Sequence, residues 1–132
     1  MVERLTITES ADPVHTLHLS GKLDGETHNA LMDAARRQYE AGTRHLLLDL
    51  SGVEFVASAG LGTIHQVYKL FTPEPEALAW EKAHPGEPYK SPYLKLAGVA
   101  PAVYYVLSIA GFLQNIPIYA DLDEGLRSFS AA

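Results

Sequence analysis

The run Arg44-His45-Leu46-Leu47-Leu48-Asp49-Leu50 constrains this chain more than any other segment. It is shorter than an ordinary helix, and its leucines follow one another instead of alternating with polar residues. Apolar side chains on both faces of a strand must both be covered, as they are in a parallel strand inside an α/β sheet. The flanking patterns supply the cover. Leu31, Ala34, Ala35 and Tyr39 recur at helical spacing in a helix expected from about 27 to 40, with Gly42 ending it. Leu61, Ile64, Val67, Tyr68 and Phe71 share one face of a second helix, for which Ser58 stands as the capping residue. Val103, Val106, Leu107 and Ala110 do the same over 101–112, in a helix expected to run to Phe112, and a terminal helix is expected over 122–129.

Two strands are expected ahead of this core. Residues 4–8 alternate weakly and 14–19 cleanly, and the turn-forming Glu9-Ser10-Ala11-Asp12-Pro13 between them makes the two an antiparallel pair. Gly21-Lys22-Leu23-Asp24-Gly25 then reads as a loop, Ser51-Gly52 as a turn, and Phe55-Val56 as a brief extended segment. Later strands are expected over 93–96 and 116–120. Five of the eight prolines fall within 72–92, among several glutamates, so this excursion is expected at the surface. One short helix over 75–83 would carry the only tryptophan, Trp80. The fold class is therefore α/β. A single domain over 1–132 would hold a mixed sheet of about five strands, the first two antiparallel and the rest mostly parallel, with packed helices and a long Pro-rich loop.

Composition excludes several function classes. A chain of 132 residues buries roughly two-thirds of its unfolded surface, and 47% hydrophobic against 20% charged residues is a folding composition. Without cysteine there are no disulfides, thiolate metal sites or cysteine nucleophiles. Ten basic against sixteen acidic side chains leave a net charge of −6, which argues against a nucleic-acid partner. Residues 96–120 carry no charge and are long enough to span a membrane, but Gly98, Pro101, Gly111 and Pro117 divide them into short elements. The start, MVERLTITES, has no apolar stretch of signal-peptide length, so a cytoplasmic protein without membrane insertion is expected.

Catalytic constellations are thin. His15 and His18 lie three apart on a strand and face opposite sides, and His28, His45, His65 and His84 are scattered, so no metal site is expected. Ser58 stands at a strand-to-helix junction, but a nucleophile elbow needs glycine two residues before and after, and Val56 occupies the first position. No histidine follows a late strand to complete a triad. Gly60-Leu61-Gly62 lacks the third glycine of a dinucleotide loop, because His65 stands there. Asp49 lacks the acidic pair and the lysine that a phosphorylated receiver aspartate requires, and reads as a strand-end carboxylate capping Ser51-Gly52. No enzyme and no cofactor are expected. The surviving feature is a serine at a helix start, where unpaired amides and the helix dipole favour an anion by about 0.3–1 kcal/mol.

Two segments carry a family pattern: LSGKLD (19–24) and LLLDLSGVEFVASAGLG (46–62). With the later LAGVAPAVYYVLSIAGF and IPIYADLDEGLRSF, they resemble the STAS domain, whose motifs are L-x-G-x-L-D, D-L-S-x-V-x-F and D-S-S/T-G-L-G. The resemblance implies a bacterial anti-sigma factor antagonist acting in transcription regulation by partner switching. Its partner would be an anti-sigma factor with a histidine-kinase-like ATPase domain that phosphorylates a serine. By position that serine is Ser58, with Lys22, Asp24, Ala59, Gly60 and Leu61 beside it on the partner surface. Ala57 and Ala59 depart from the motif, which has an aspartate and a second hydroxyl residue there. The alternative is a non-phosphorylated STAS scaffold or accessory subunit of a stress-sensing or transport complex, suggested by those alanines and by Tyr104, Tyr105 and Ile109 lying off a helix core face. A homodimer stays open.

Overall fold

The computed structural model describes residues 4–111 and 114–130. Strand β1 (Leu5–Ser10) turns back into β2 (Thr16–Leu23), followed by α1 (His28–Glu40), β3 (Leu46–Val56) and α2 (Ser58–Phe71). Then come α3 (Glu74–Ala83), β4 (Leu94–Ala97), α4 (Pro101–Ala110), β5 (Ile118–Tyr119) and α5 (Leu122–Ser130). The five strands lie side by side in chain order; β1 and β2 are antiparallel and every later pair is parallel. The mixed α/β sheet expected from the sequence is the one observed.

Chain order decides how the helices layer. Each parallel connection steps one strand in the same direction, and crossovers are right-handed, so the connecting helices collect on one face. There Leu31, Ala34 and Ala35 of α1, Ile64, Val67 and Phe71 of α2, and Val103 and Leu107 of α4 pack on Leu17, Leu19, Leu46, Leu48 and Leu50. Leu47 points the other way and is equally buried, because α5 covers that face at β3–β5. A Cβ at Gly125 of α5 would lie 2.9 Å from the Ala97 Cβ, so helix and sheet are in direct contact. Lys95 is buried beneath α5, where its ammonium donates to the Ser128 carbonyl and hydroxyl at 3.2 and 3.1 Å and lies 4.2 Å from the Phe129 ring centre. The same face is left open over β1 and β2, and it is polar there: Thr6, Thr8 and Ser20 are exposed.

Several strand expectations need correction: Glu9 and Ser10 are the end of β1 and pair with β2, so the turn is shorter than expected. Gly21, Lys22 and Leu23 are strand, not loop, because β2 runs on beside β3 to Leu23. Ser51-Gly52 is no turn: β3 continues through it, with register shifts that fit two extra residues of β3 against β2. Asp49 is accordingly mid-strand and buried. Glycine is required at Gly21, whose φ is +113° and whose Cβ would collide with the Arg4 carbonyl just ahead of β1. The end expected for α4 at Phe112 lies outside the described residues; the helix stops at Gly111, in the left-handed conformation.

The excursion holds α3, as its pattern suggested, and that helix contributes no buried side chain. It is tethered by Glu76, which accepts hydrogen bonds from the Tyr89 and Tyr93 hydroxyls, each at 2.6 Å. Trp80 stacks on His84 and meets Tyr89 edge-on. Tyr89 itself is buried, as are Thr72 and Ser91, whose hydroxyls bond at 2.9 Å. Replacing 74–87 with a short Gly/Ser linker should therefore leave a cooperatively melting domain, since loop length enters stability only logarithmically. Tyr89→Ala should cost about 3 kcal/mol in urea unfolding, as truncation of a buried aromatic does.

Candidate functional site

The two motif segments meet at one carbonyl. β2 and β3 end side by side, with Lys22 opposite Phe55 and Leu23 opposite Val56. The Ala57 amide, one residue beyond β3, donates to the Leu23 carbonyl at 2.9 Å. The first turn of α2 then presses on the same atom: a Cβ at Gly60 would lie 2.6 Å from the Leu23 oxygen and 2.8 Å from its Cγ. Only glycine fits. At Gly62 the helix faces open space, with nothing within 4 Å of such a Cβ.

This junction fixes Ser58 as the exposed first residue of α2. It is not the cap. Ala57, extended at φ −90° and ψ 175°, occupies that position, and no side chain caps the helix. No acidic residue lies in the first turn either, so its amides and the positive end of its dipole are uncompensated. Beside Ser58 stand exposed Lys22, Phe55 at 49% exposure, and half-buried Ala59 and Leu61. Gly60 is buried against Leu23, so it positions the helix and presents no surface.

Asp24 lies on the same connection, half-buried and already engaged. Its Oδ1 accepts the Glu26 amide at 2.9 Å and the Thr27 amide at 3.2 Å. The Thr27 hydroxyl donates to the Lys22 carbonyl at 2.7 Å and accepts the Asp24 amide at 2.9 Å. The Glu26 amide, first among these, holds the Asp24 carboxyl below its ordinary range despite some desolvation. Asp24 therefore shapes the entry to α1, and His28 at the head of α1 bonds the Thr63 hydroxyl of α2 at 2.9 Å.

A second polar cluster was not legible in the sequence. On the open face, His18 Nδ1 lies 2.7 Å from Asp49 Oδ2, and His18 Nε2 lies 2.8 Å from Ser10 Oγ. Asp49 Oδ1 accepts the Ser51 amide at 3.1 Å and hydroxyl at 2.8 Å, so its side chain does bind Ser51, but within a continuous strand. Burial raises the Asp49 pKa, and the bonds from His18 and Ser51 outweigh it, leaving the carboxyl below its ordinary value. Period-2 patterning put His18 on a strand face; only the register of β2 against β3, His18 opposite Asp49, brings the partners together. Among the described residues, no three His, Asp or Glu side chains gather as a metal site, and no helix is long and apolar enough to cross a membrane.

A mixed five-stranded sheet, with a serine exposed where its third strand enters a helix, defines a STAS-like regulatory domain. The family model described as Mlab, STAS domain, matches residues 7–86. An anti-sigma F factor antagonist of Paenibacillus polymyxa is 32% identical over 108 residues, covering 78% of this chain and 75% of the relative. The crystal structure of an anti-sigma factor antagonist from Mycobacterium paratuberculosis superposes with a TM-score of 0.76 at 23% identity, covering 96% of this chain and 95% of that one. A STAS domain protein from Planctomyces limnophilus gives 0.64 at 19% identity, over 96% and 98% of the two chains. The chain belongs to the STAS domain family of anti-sigma factor antagonists.

Two outcomes follow from this geometry. Gly60→Ala should destabilise by about 1–3 kcal/mol in chemical unfolding, as overpacking against a backbone does, whereas Gly62→Ala should stabilise by up to about 1 kcal/mol. Asp49 is ionised more readily folded than unfolded, so its contribution is present above the unfolded carboxyl pKa and lost as pH falls through the lower folded one. Asp49→Asn should cost about 1.5–3 kcal/mol at pH 7 and flatten the loss of stability below about pH 4, measured by urea unfolding across pH.

Proposed function

We propose that this chain is an anti-sigma factor antagonist whose partner is an anti-sigma factor with a histidine-kinase-like ATPase domain, and that this partner phosphorylates Ser58 to end the complex. The observation that carries the reading is the exposed Ser58 on an uncapped, uncompensated helix end. A phosphoryl group there adds roughly −1.5 to −2 charges at pH 7, which its own helix stabilises. The partner surface responds in the opposite sense. An interface packed over Phe55, Ser58, Ala59 and Leu61 would have to desolvate the new anion on docking. The fold is left intact while the complex is lost. This partner switching acts through binding, in the cytoplasm, with no catalysis by the chain itself.

A second reading has its own support. Ala57 and Ala59 remove the acid and hydroxyl that flank the serine in the family pattern, and α4 exposes Tyr104, Tyr105 and Ile109. A non-phosphorylated scaffold or accessory subunit would keep the fold and use such faces constitutively.

Titration against the cognate anti-sigma factor separates the two. Ser58→Asp should weaken binding at least about tenfold, equivalent to about 1.4 kcal/mol, and Ser58→Ala should preserve it. Both should melt close to the unsubstituted chain, because Ser58 makes no capping bond. Equal affinities for all three proteins would leave the scaffold reading standing.

A further inference from the structure

We propose that Ser10 is a nucleophile, its Oγ made ready by His18 and Asp49 to accept an acyl group from an activated ester. The three residues stand on three adjacent strands, Ser10 ending β1, His18 within β2 and Asp49 within β3. They share the face turned away from α1 and α2. Leu5 and Ile7 of β1 and Leu17 and Leu19 of β2 pack into the core on the opposite side.

The atoms determine the direction of the chain of bonds. An ionised Asp49 carboxylate can only accept, so the proton between it and His18 sits on Nδ1 at 2.7 Å. In the neutral imidazole, Nε2 then holds a lone pair, and the Ser10 hydroxyl 2.8 Å away is the donor. Asp49 is held in turn by the Ser51 amide and hydroxyl. Nucleophile, base and orienting carboxylate thus bond in the order that nucleophilic catalysis uses. Burial follows the same order: Asp49 is buried at 7% exposure, His18 is half-buried and Ser10 is exposed.

The step balances without a further reagent. The Ser10 Oγ forms a bond to the acyl carbon, its proton passes to His18 Nε2, and the bond from the acyl carbon to the leaving oxygen breaks. The leaving alkoxide or phenolate takes up that proton or is released to solvent. An exposed edge strand gives a substrate little to bind, so the expected chemistry is one acylation per chain and not rapid turnover. The surface is separate from that of Ser58 and does not depend on the reading proposed there.

Reaction with p-nitrophenyl acetate tests the proposal, followed by p-nitrophenolate release, intact mass and peptide mapping. The expected result is one acetyl group on Ser10, absent in Ser10→Ala and formed about 100-fold more slowly in His18→Gln, the size of a general-base contribution. Asp49→Asn should slow it as well. His18→Gln keeps the test decisive if that buried substitution unfolds the chain, and circular dichroism checks each variant. The proposal is overturned if acetyl is found only on lysine or imidazole nitrogens, if Ser10→Ala leaves the release unchanged, or if His18→Gln acetylates Ser10 at the unsubstituted rate.

Discussion

The contact between the Leu23 carbonyl and the first turn of α2 is the constraint on which the rest of the site depends. That oxygen accepts the Ala57 amide and lies where any side chain at position 60 would have to be. The direction in which α2 leaves the sheet is set there by a hydrogen bond and a steric limit acting on one atom. Both strands must reach this point together. β2 brings Leu23 through Gly21, whose left-handed φ lets the strand pass the Arg4 carbonyl, and β3 brings Val56 through a longer, irregular path. The irregularity in β3 has a purpose in packing. It returns Val53 and Val56 to the core face after Ser51 and Gly52 have faced out.

Two faces of one sheet are stabilised by different means. The helical side is a continuous apolar layer, and burial of its leucines is the dominant favourable term in folding. The opposite side is divided. Over β3 to β5 it is closed by α5, where the Lys95 side chain donates to Ser128 and lies against the Phe129 ring. Over β1 to β3 it is held by a line of hydrogen bonds from Ser10 through His18 and Asp49 to Ser51. A buried carboxylate without those partners would be costly, so the chain of bonds is required once Asp49 is placed inward.

Electrostatics separate Ser58 from its surroundings. The head of α1 is managed internally, with the Asp24 carboxylate taking the amides of Glu26 and Thr27. The head of α2 has no such carboxylate and no side-chain cap, although it begins only one residue after a strand. Two helices start next to each other and only one is neutralised. An anion added at Ser58 meets unpaired amides on its own helix, while Asp24 contributes negative charge already turned inward to the loop.

Much of the architecture was legible in the chain because short-range physics writes it there. The consecutive leucines of 46–48 required cover on both faces, and the 3.6-residue periodicities of α1, α2 and α4 named the buried residues that supply most of it. Ser58 was legible as a position through its motif and the helix that follows it. Its chemical setting was not: the capping role assigned to it belongs to Ala57, because the Leu23 carbonyl fixes where the helix begins. Strand continuation through Lys22 and through Ser51-Gly52 was likewise hidden, since glycines that signal turns locally serve in close approaches between strands here. The cluster of Ser10, His18 and Asp49 shows the limit most plainly. Its members are 8 and 31 residues apart in sequence, and no local pattern relates them. The sequence alone determined which face of each element is apolar, because that depends on spacing within one element. The tertiary structure alone decided which polar groups meet, because that depends on the register between strands, which is settled only when the whole core packs.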